Sequence, residues 1–110
     1  MLAPKPDLLQ GTLDLLILKS LLAQPLHGWA IAKRLQQMSS AVLTVNQGSL
    51  YPALYRLEDR GWIAGRDAVS DEGRRIKVYR LTAAGRRQLS DEIEVWRTFA
   101  AAVNQVVDVT

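Results

Sequence analysis

After Gly61 the hydrophobic period of this chain changes, and that change decides most of what it can fold into. Before it, apolar residues recur at helical spacing. After it, IKVYRLT (Ile76 to Thr82) alternates, with Ile76, Val78, Tyr79 and Leu81 against Lys77, Arg80 and Thr82 and one slip at Val78–Tyr79. WIAGR (Trp62 to Arg66) is short and strand-like, and the polar DAVSDEGRR between the two contains Gly73. Strand, polar tip, strand reads as a β-hairpin with a long loop. Helical spacing then returns. Leu89, Ile93, Trp96, Ala100, Val103 and Val107 follow at intervals of 4, 3, 4, 3 and 4. That is a short coiled-coil seam, widened by Phe99 and Val106. Thr82 is placed to cap this helix, expected from about Ala83 to Val107.

Upstream, LLQGTLDLLILKSLLAQ carries Leu9, Leu13, Leu16, Ile17 and Leu21 on one stripe and Leu15, Leu18 and Leu22 on others. This is too apolar for a helix with one wet face, so burial on two sides is expected, part of it from a second subunit. Gly11 would let another helix come close. Asp7, with Gln10 three residues on, suggests a capping box. Met1 to Pro6, with Pro4 and Pro6, reads as a loose arm. Pro25 and Gly28 interrupt the helical run. A second helix is predicted over about His27 to Met38, with Ile31, Leu35 and Met38 inward and Lys33, Arg34, Gln36 and Gln37 outward. Val42, Leu43 and Val45 then alternate loosely, as a brief strand would. A third helix is predicted over Gln47 to Arg60, with Leu50, Leu54 and Leu57 inward.

Three helices, a hairpin and a long helix make a mainly α chain with an α+β component. The pattern is a winged helix-turn-helix with a long C-terminal dimerisation helix. The expected division is a flexible arm over residues 1–7, the winged domain over 8–82 and the dimerisation helix over 83–110. A length of 110 residues fits this scale. The absence of cysteine rules out disulfides and thiolate metal sites. No stretch approaches the ~20 apolar residues that span a membrane, and no signal peptide is visible. A cytoplasmic protein without cofactor or metal is expected.

The net charge is +3, but it is unevenly spread. Arg74, Arg75, Lys77, Arg80, Arg86 and Arg87 follow each other with no acid among them, whereas Asp91, Glu92, Glu94 and Asp108 face only Arg97 beyond Gln88. A local basic block suits phosphate; the plainer reading is a solvated surface. A helix-turn-helix sets the start of its second helix against base edges in the major groove. Here that start is NQGSLYP. Asn46 and Ser49 hydrogen-bond, Gln47 can pair with adenine, and Gly48 lets backbone approach. Tyr51 adds a hydroxyl and a flat face, while Tyr55 and Arg56 lie one turn on, suited to phosphates. Asn46 and Ser49 read equally well as helix caps. Arg74, Arg75 and Lys77 on the hairpin suit the sugar-phosphate backbone or a minor groove. Lys33 and Arg34 on the second helix suit phosphates as well. Pro52 sits inside the third helix, where it removes a bond to the carbonyl of Gly48, close to the helix start.

An enzyme is not expected. His27 is the one histidine, and Asp71 and Glu72 are neighbours on a polar tip. Trp96 and Phe99 admit two readings. One is dimer-core packing; the other is an aromatic-walled ligand cavity between subunits.

The chain resembles the PadR family of bacterial transcriptional regulators, in its short form with one C-terminal helix. The resemblance spans about Leu8 to Val107 and rests on LLQGTLDLLILKSLL, PLHGWAIAKRL, GSLYPALYRLEDRGWI and GRRIKVYRLTAAG. It implies a dimeric winged-helix binder of double-stranded DNA, usually a repressor, whose first and last helices build the dimer. By position it places Ser49, Leu50, Tyr51 and Pro52 at the DNA and Arg74, Arg75 and Lys77 on the wing, residues 66–77. Leu9, Leu13, Leu89, Ile93, Trp96, Ala100, Val103 and Val107 are the interface candidates. It further implies that a small flat aromatic effector could lie beside Trp96. His27-Gly28-Trp29 stands where the family more often has a Tyr-Gly-Tyr type, and Gly48-Ser49 where it has Gly-Thr. The rival readings are a winged-helix module that binds protein and a dimeric sensor of aromatic small molecules.

Overall fold

A computed structural model describes residues 10–110. The elements are α1 (Gln10–Ser20), β1 (Leu26–His27), α2 (Gly28–Met38), α3 (Gln47–Asp59), β2 (Ile63–Val69), β3 (Arg75–Leu81) and α4 (Ala83–Val107). This is the winged helix-turn-helix architecture expected. The arm over residues 1–7, the Asp7 cap and the interface role of Leu9 lie outside the described residues. No helix among the described residues is long and apolar enough to cross a membrane.

The apolar character of α1 has an intramolecular cause. Leu13, Leu15, Ile17, Leu18 and Leu21 are all buried in one core with Ile31, Leu35, Leu50, Leu54, Leu57, Ile63, Leu81 and Leu89. α1 is in contact with α2, α3 and α4. The chain's own last helix, through Leu89, is thus part of what covers α1. At Gly11 a Cβ would meet nothing within 4 Å among the described residues, so no close helix contact uses that glycine there.

The sheet differs from expectation in three ways. Its order is β1-β3-β2, all antiparallel, because Leu26 pairs with Tyr79 and His27 with Val78. The segment that interrupts the helical run thus supplies a third, two-residue strand. The hairpin loop is also shorter than expected, since β2 and β3 stay paired out to Val69 and Arg75. Ser70 N–H donates to the Arg74 carbonyl at 2.8 Å, Gly73 N–H to the Ser70 carbonyl at 2.9 Å, and Arg74 N–H to Ser70 Oγ at 3.1 Å. Gly73 takes φ +82, which only glycine adopts without strain. Finally, Val42–Val45 forms no strand. The chain leaves α2 through left-handed Ser40 and Ala41, held by Ala41 N–H on the Gln36 carbonyl at 2.7 Å and by Leu43 N–H on Ser39 Oγ at 3.0 Å. The segment that follows is not part of the sheet.

Thr82 fixes how α4 departs. Its Oγ1 accepts from Gly85 N–H at 3.0 Å, as an N-cap does, and donates to the Gly61 carbonyl at 2.7 Å, with the Trp62 carbonyl a second acceptor at 3.1 Å. Gly85 is buried against the Trp62 carbonyl, where a Cβ would collide with backbone. The first turn of α4 is therefore held to the turn after α3.

Candidate nucleic-acid interface

α3 begins at Asn46, whose Oδ1 accepts the Ser49 N–H at 2.8 Å. The cap reading of these two residues is thereby realised, and Asn46 stays exposed, its amide nitrogen able to act only as a donor. The apolar side of α3, with Leu50, Ala53, Leu54 and Leu57, is buried. The opposite side presents Gln47, Gly48, Tyr51, Pro52 and Tyr55, all exposed, with Tyr55 at 76 %. No charged side chain stands among those five. Ser49 is half-buried beside them.

Pro52 lies within this exposed side. The bond it forgoes is to the Gly48 carbonyl, in the first turn. There the helix is already held by Ser49 and Leu50 N–H on the Asn46 carbonyl, at 3.2 and 3.0 Å. The cost of the proline falls where backbone is open to water, so the helix continues through it. Tyr51 packs its ring on α2. A Cβ on Gly28 would stand 3.0 Å from Tyr51 Cε1 and 3.1 Å from its hydroxyl, so glycine there is what admits the ring.

The cations divide into free and paired. Lys33, Arg74 and Arg75 are exposed and make no ion pair with the described residues. Arg34 is half-buried, and its Nε is buried without a hydrogen-bond partner. Lys77 is engaged: its Nζ donates to Glu58 Oε1 at 2.8 Å, while Glu58 Oε2 accepts the Gly65 N–H at 3.2 Å. The hydrogen bond to Glu58 holds the Lys77 ammonium above the usual lysine range. Glu58 thus ties the C-terminal turn of α3 to both strands of the wing. Beneath, Tyr79 is pushed up by burial, with Lys77 opposing that shift. Arg56 also points inward, and its Nη2 donates to the buried Asp14 Oδ1 at 2.7 Å. It is not presented to a phosphate as the sequence suggested.

The interface candidates separate too. Leu13 and Leu89 are each 3 % exposed within one chain, so they belong to the protomer core and have no surface left for a second copy. Ile93 and Ala100 are half-buried. The open part of the seam runs through Trp96, Val103 and Val107, with Phe99 beside it. Trp96 and Phe99 come together, their ring centroids 6.1 Å apart and tilted by 42°. With Val95, Gln88, Glu92, Gly11, Thr12 and Leu15 they line a groove of about 540 Å³ between α1 and α4. Glu92 is pushed up, first by burial and then by the charge of Asp14, and its Oε2 has no hydrogen-bond partner among the described residues.

Sequence reasoning missed Asp14, Glu58, Glu92 and Trp29. The first three act through contacts between distant segments. Trp29 had a local signal, an aromatic ring one turn before Lys33 on the outer face of α2.

The sequence profile of the Transcriptional regulator PadR-like family matches residues 17–91. A protein of Lysinibacillus sphaericus is 30% identical over 105 residues, covering 94% of this chain and 92% of that one. Among solved structures, a transcriptional regulator from Clostridium thermocellum superposes with TM-score 0.82 at 25% identity, covering 90% of this chain and 96% of that chain. A PadR family transcription regulator from Clostridium difficile superposes with TM-score 0.73 at 30% identity, over 86% and 97% of the two chains. With a profile match across most of the winged domain and the same fold in these two solved structures, this chain belongs to the PadR-like family of transcriptional regulators.

Proposed function

We propose that the chain is a homodimeric, cytoplasmic DNA-binding repressor. α3 lies in the major groove of a two-fold-related operator, and the wing, residues 66–77, rests on the backbone or in a minor groove. The observation that carries this reading is the outer side of α3. Five neighbouring exposed residues, Gln47, Gly48, Tyr51, Pro52 and Tyr55, form an uncharged surface, and its Tyr51 shares a cleft with Arg74 and Arg75, which like Lys33 make no ion pair among the described residues. Uncharged hydrogen-bonding groups suit base edges, and cations at the margins suit phosphates. The winged domain over 8–82 then reads DNA, and residues 83–110 bring two copies together, which sets half-sites about one helical turn apart. Support for pairing comes from Trp96, Phe99, Val103 and Val107, a run of apolar side chains left in water on α4.

A salt titration tests the reading. Binding to a fragment from the protein's own promoter region should weaken linearly in log salt, because Lys and Arg displace condensed counterions. Affinity that ignores salt overturns it in favour of a protein-binding winged helix. A second reading, a dimer that senses flat aromatic compounds, is favoured by the tilted Trp96–Phe99 pair in its groove. It requires Trp fluorescence quenching by such compounds that disappears in Trp96→Ala.

A further inference from the structure

Trp29 lies in the first turn of α2 and is 56 % exposed. It takes no part in the core. Its ring is nonetheless held. It lies nearly parallel to His27, with centroids 6.3 Å apart and 8° between planes. The Lys33 ammonium, one turn along, stands 5.0 Å from the indole centroid. A large ring kept in water, fixed in orientation and capped by a cation, has a defined surface to offer.

That surface opens on a cleft of about 560 Å³ between the helix-turn-helix and the wing. Tyr51 forms the wall from α3, and Arg74 and Arg75 the wall from the wing, with Glu72 the one carboxylate among its lining residues. The cleft therefore joins the outer side of α3 to the cations of the hairpin. Its chemistry is two flat aromatic faces among cations, which fits a strand whose units alternate an apolar sugar with a phosphate.

We propose that Trp29 is a contact for the DNA backbone. The strand beside the groove occupied by α3 passes between α2 and the wing, with a deoxyribose against the indole face and the neighbouring phosphates near Lys33 and Arg75. Bases of a duplex are stacked and offer no free face to the ring, and the first helix of a helix-turn-helix crosses the backbone. The inference rests on the DNA-binding reading of α3 and adds to it a residue that positions without reading sequence.

An uncharged contact has a distinct signature, because it strengthens binding without releasing counterions. Trp29→Ala should weaken binding about fivefold to tenfold, alike for operator and unrelated duplexes, with the salt slope unchanged. Trp29→Phe should recover most of the loss. Lys33→Met should instead lower the slope by about 0.9. Wild-type affinity in Trp29→Ala overturns the inference, as does a loss confined to the operator, which would make Trp29 a reader of sequence. If wild type itself binds DNA without salt dependence, the reading of α3 falls first. Hydroxyl-radical labelling of the wild type gives an answer that needs no variant. DNA should protect Trp29 relative to exposed Val109, and equal labelling of both with and without DNA overturns the contact.

Discussion

Arg56 Nη2 donates to Asp14 Oδ1 at 2.7 Å, joining α3 to α1 across 42 positions of sequence. The two ends of this pair are unequal. The Asp14 side chain is 5% exposed and that of Arg56 is 29% exposed. Arg56→Ala should therefore cost about 3 kcal/mol, since it strands a buried carboxylate. Asp14→Ala should cost less, about 1–2 kcal/mol, because the guanidinium can still reach water. The double variant should lose less than the sum. Urea denaturation of the three proteins measures all of this, and a larger loss in Asp14→Ala than in Arg56→Ala would reverse the assignment.

The wing cations should differ in how they respond to salt. Arg75 is exposed and unpaired among the described residues, so Arg75→Ala should reduce the slope of log affinity against log salt by about 0.9. Lys77 is already neutralised by Glu58 at 2.8 Å. Lys77→Met should reduce the slope by less, while loosening the wing from α3. Equal slope changes in binding isotherms would mean that DNA strips Lys77 from Glu58.

Charges on the open stretch of α4 should separate two copies without unfolding either. Trp96→Asp with Val103→Asp is expected to sediment as a monomer with a near wild-type helical spectrum, because both residues are exposed in one chain at 44% and 42%. A dimer that survives both charges would place the interface elsewhere. Leu89→Asp, by contrast, should unfold the protomer, since Leu89 lies in its core.

Glu92 makes stability depend on pH. Its folded-state pKa lies above the ordinary value of 4.5, raised by burial and by Asp14. The folded state therefore favours the protonated form. Stability from this group is complete below 4.5 and is lost as pH rises through the folded value. Glu92→Gln should melt above wild type at pH 7, and the difference should vanish as the buffer is taken below 4.5. Thermal melts across that range check the direction. A wild type that melts above Glu92→Gln at pH 7 refutes it.

What the sequence disclosed is what local chemistry decides. Asn46 and Thr82 can be read as caps because a cap acts on residues three positions away, and both bonds are formed, Asn46 to Ser49 and Thr82 to Gly85. The helix bounds and the hairpin follow from periodicity in the same way. β1 escapes such a reading, because two residues between Pro25 and Gly28 have no period, and only Tyr79 and Val78 opposite them make a strand. The outer half of the hairpin is hidden too, since Asp67 and Ala68 are not typical strand residues and are held by Lys77 and Ile76 across the ladder. The seam on α4 shows the other limit. A stripe looks the same whether its own chain or a second copy covers it, and only the fold assigns Leu89 to the core and leaves Trp96 open. Arg56 and Lys77 were read as phosphate contacts for a related reason. Charge is visible in sequence, but the carboxylates that occupy them, Asp14 and Glu58, lie in other elements.

Thr82 has a consequence far from its own position. α4 is 25 residues long, or about 37 Å at the usual rise. A tilt of about 10° at its origin would carry its far end sideways by roughly 6 Å. The hydroxyl that joins the Gly61 and Trp62 carbonyls to the first turn of α4 therefore acts, with buried Gly85 and Leu89, as the pivot of a lever. It aims Val103 and Val107, and any two such chains meeting through those residues would inherit the angle between their α3 helices from it.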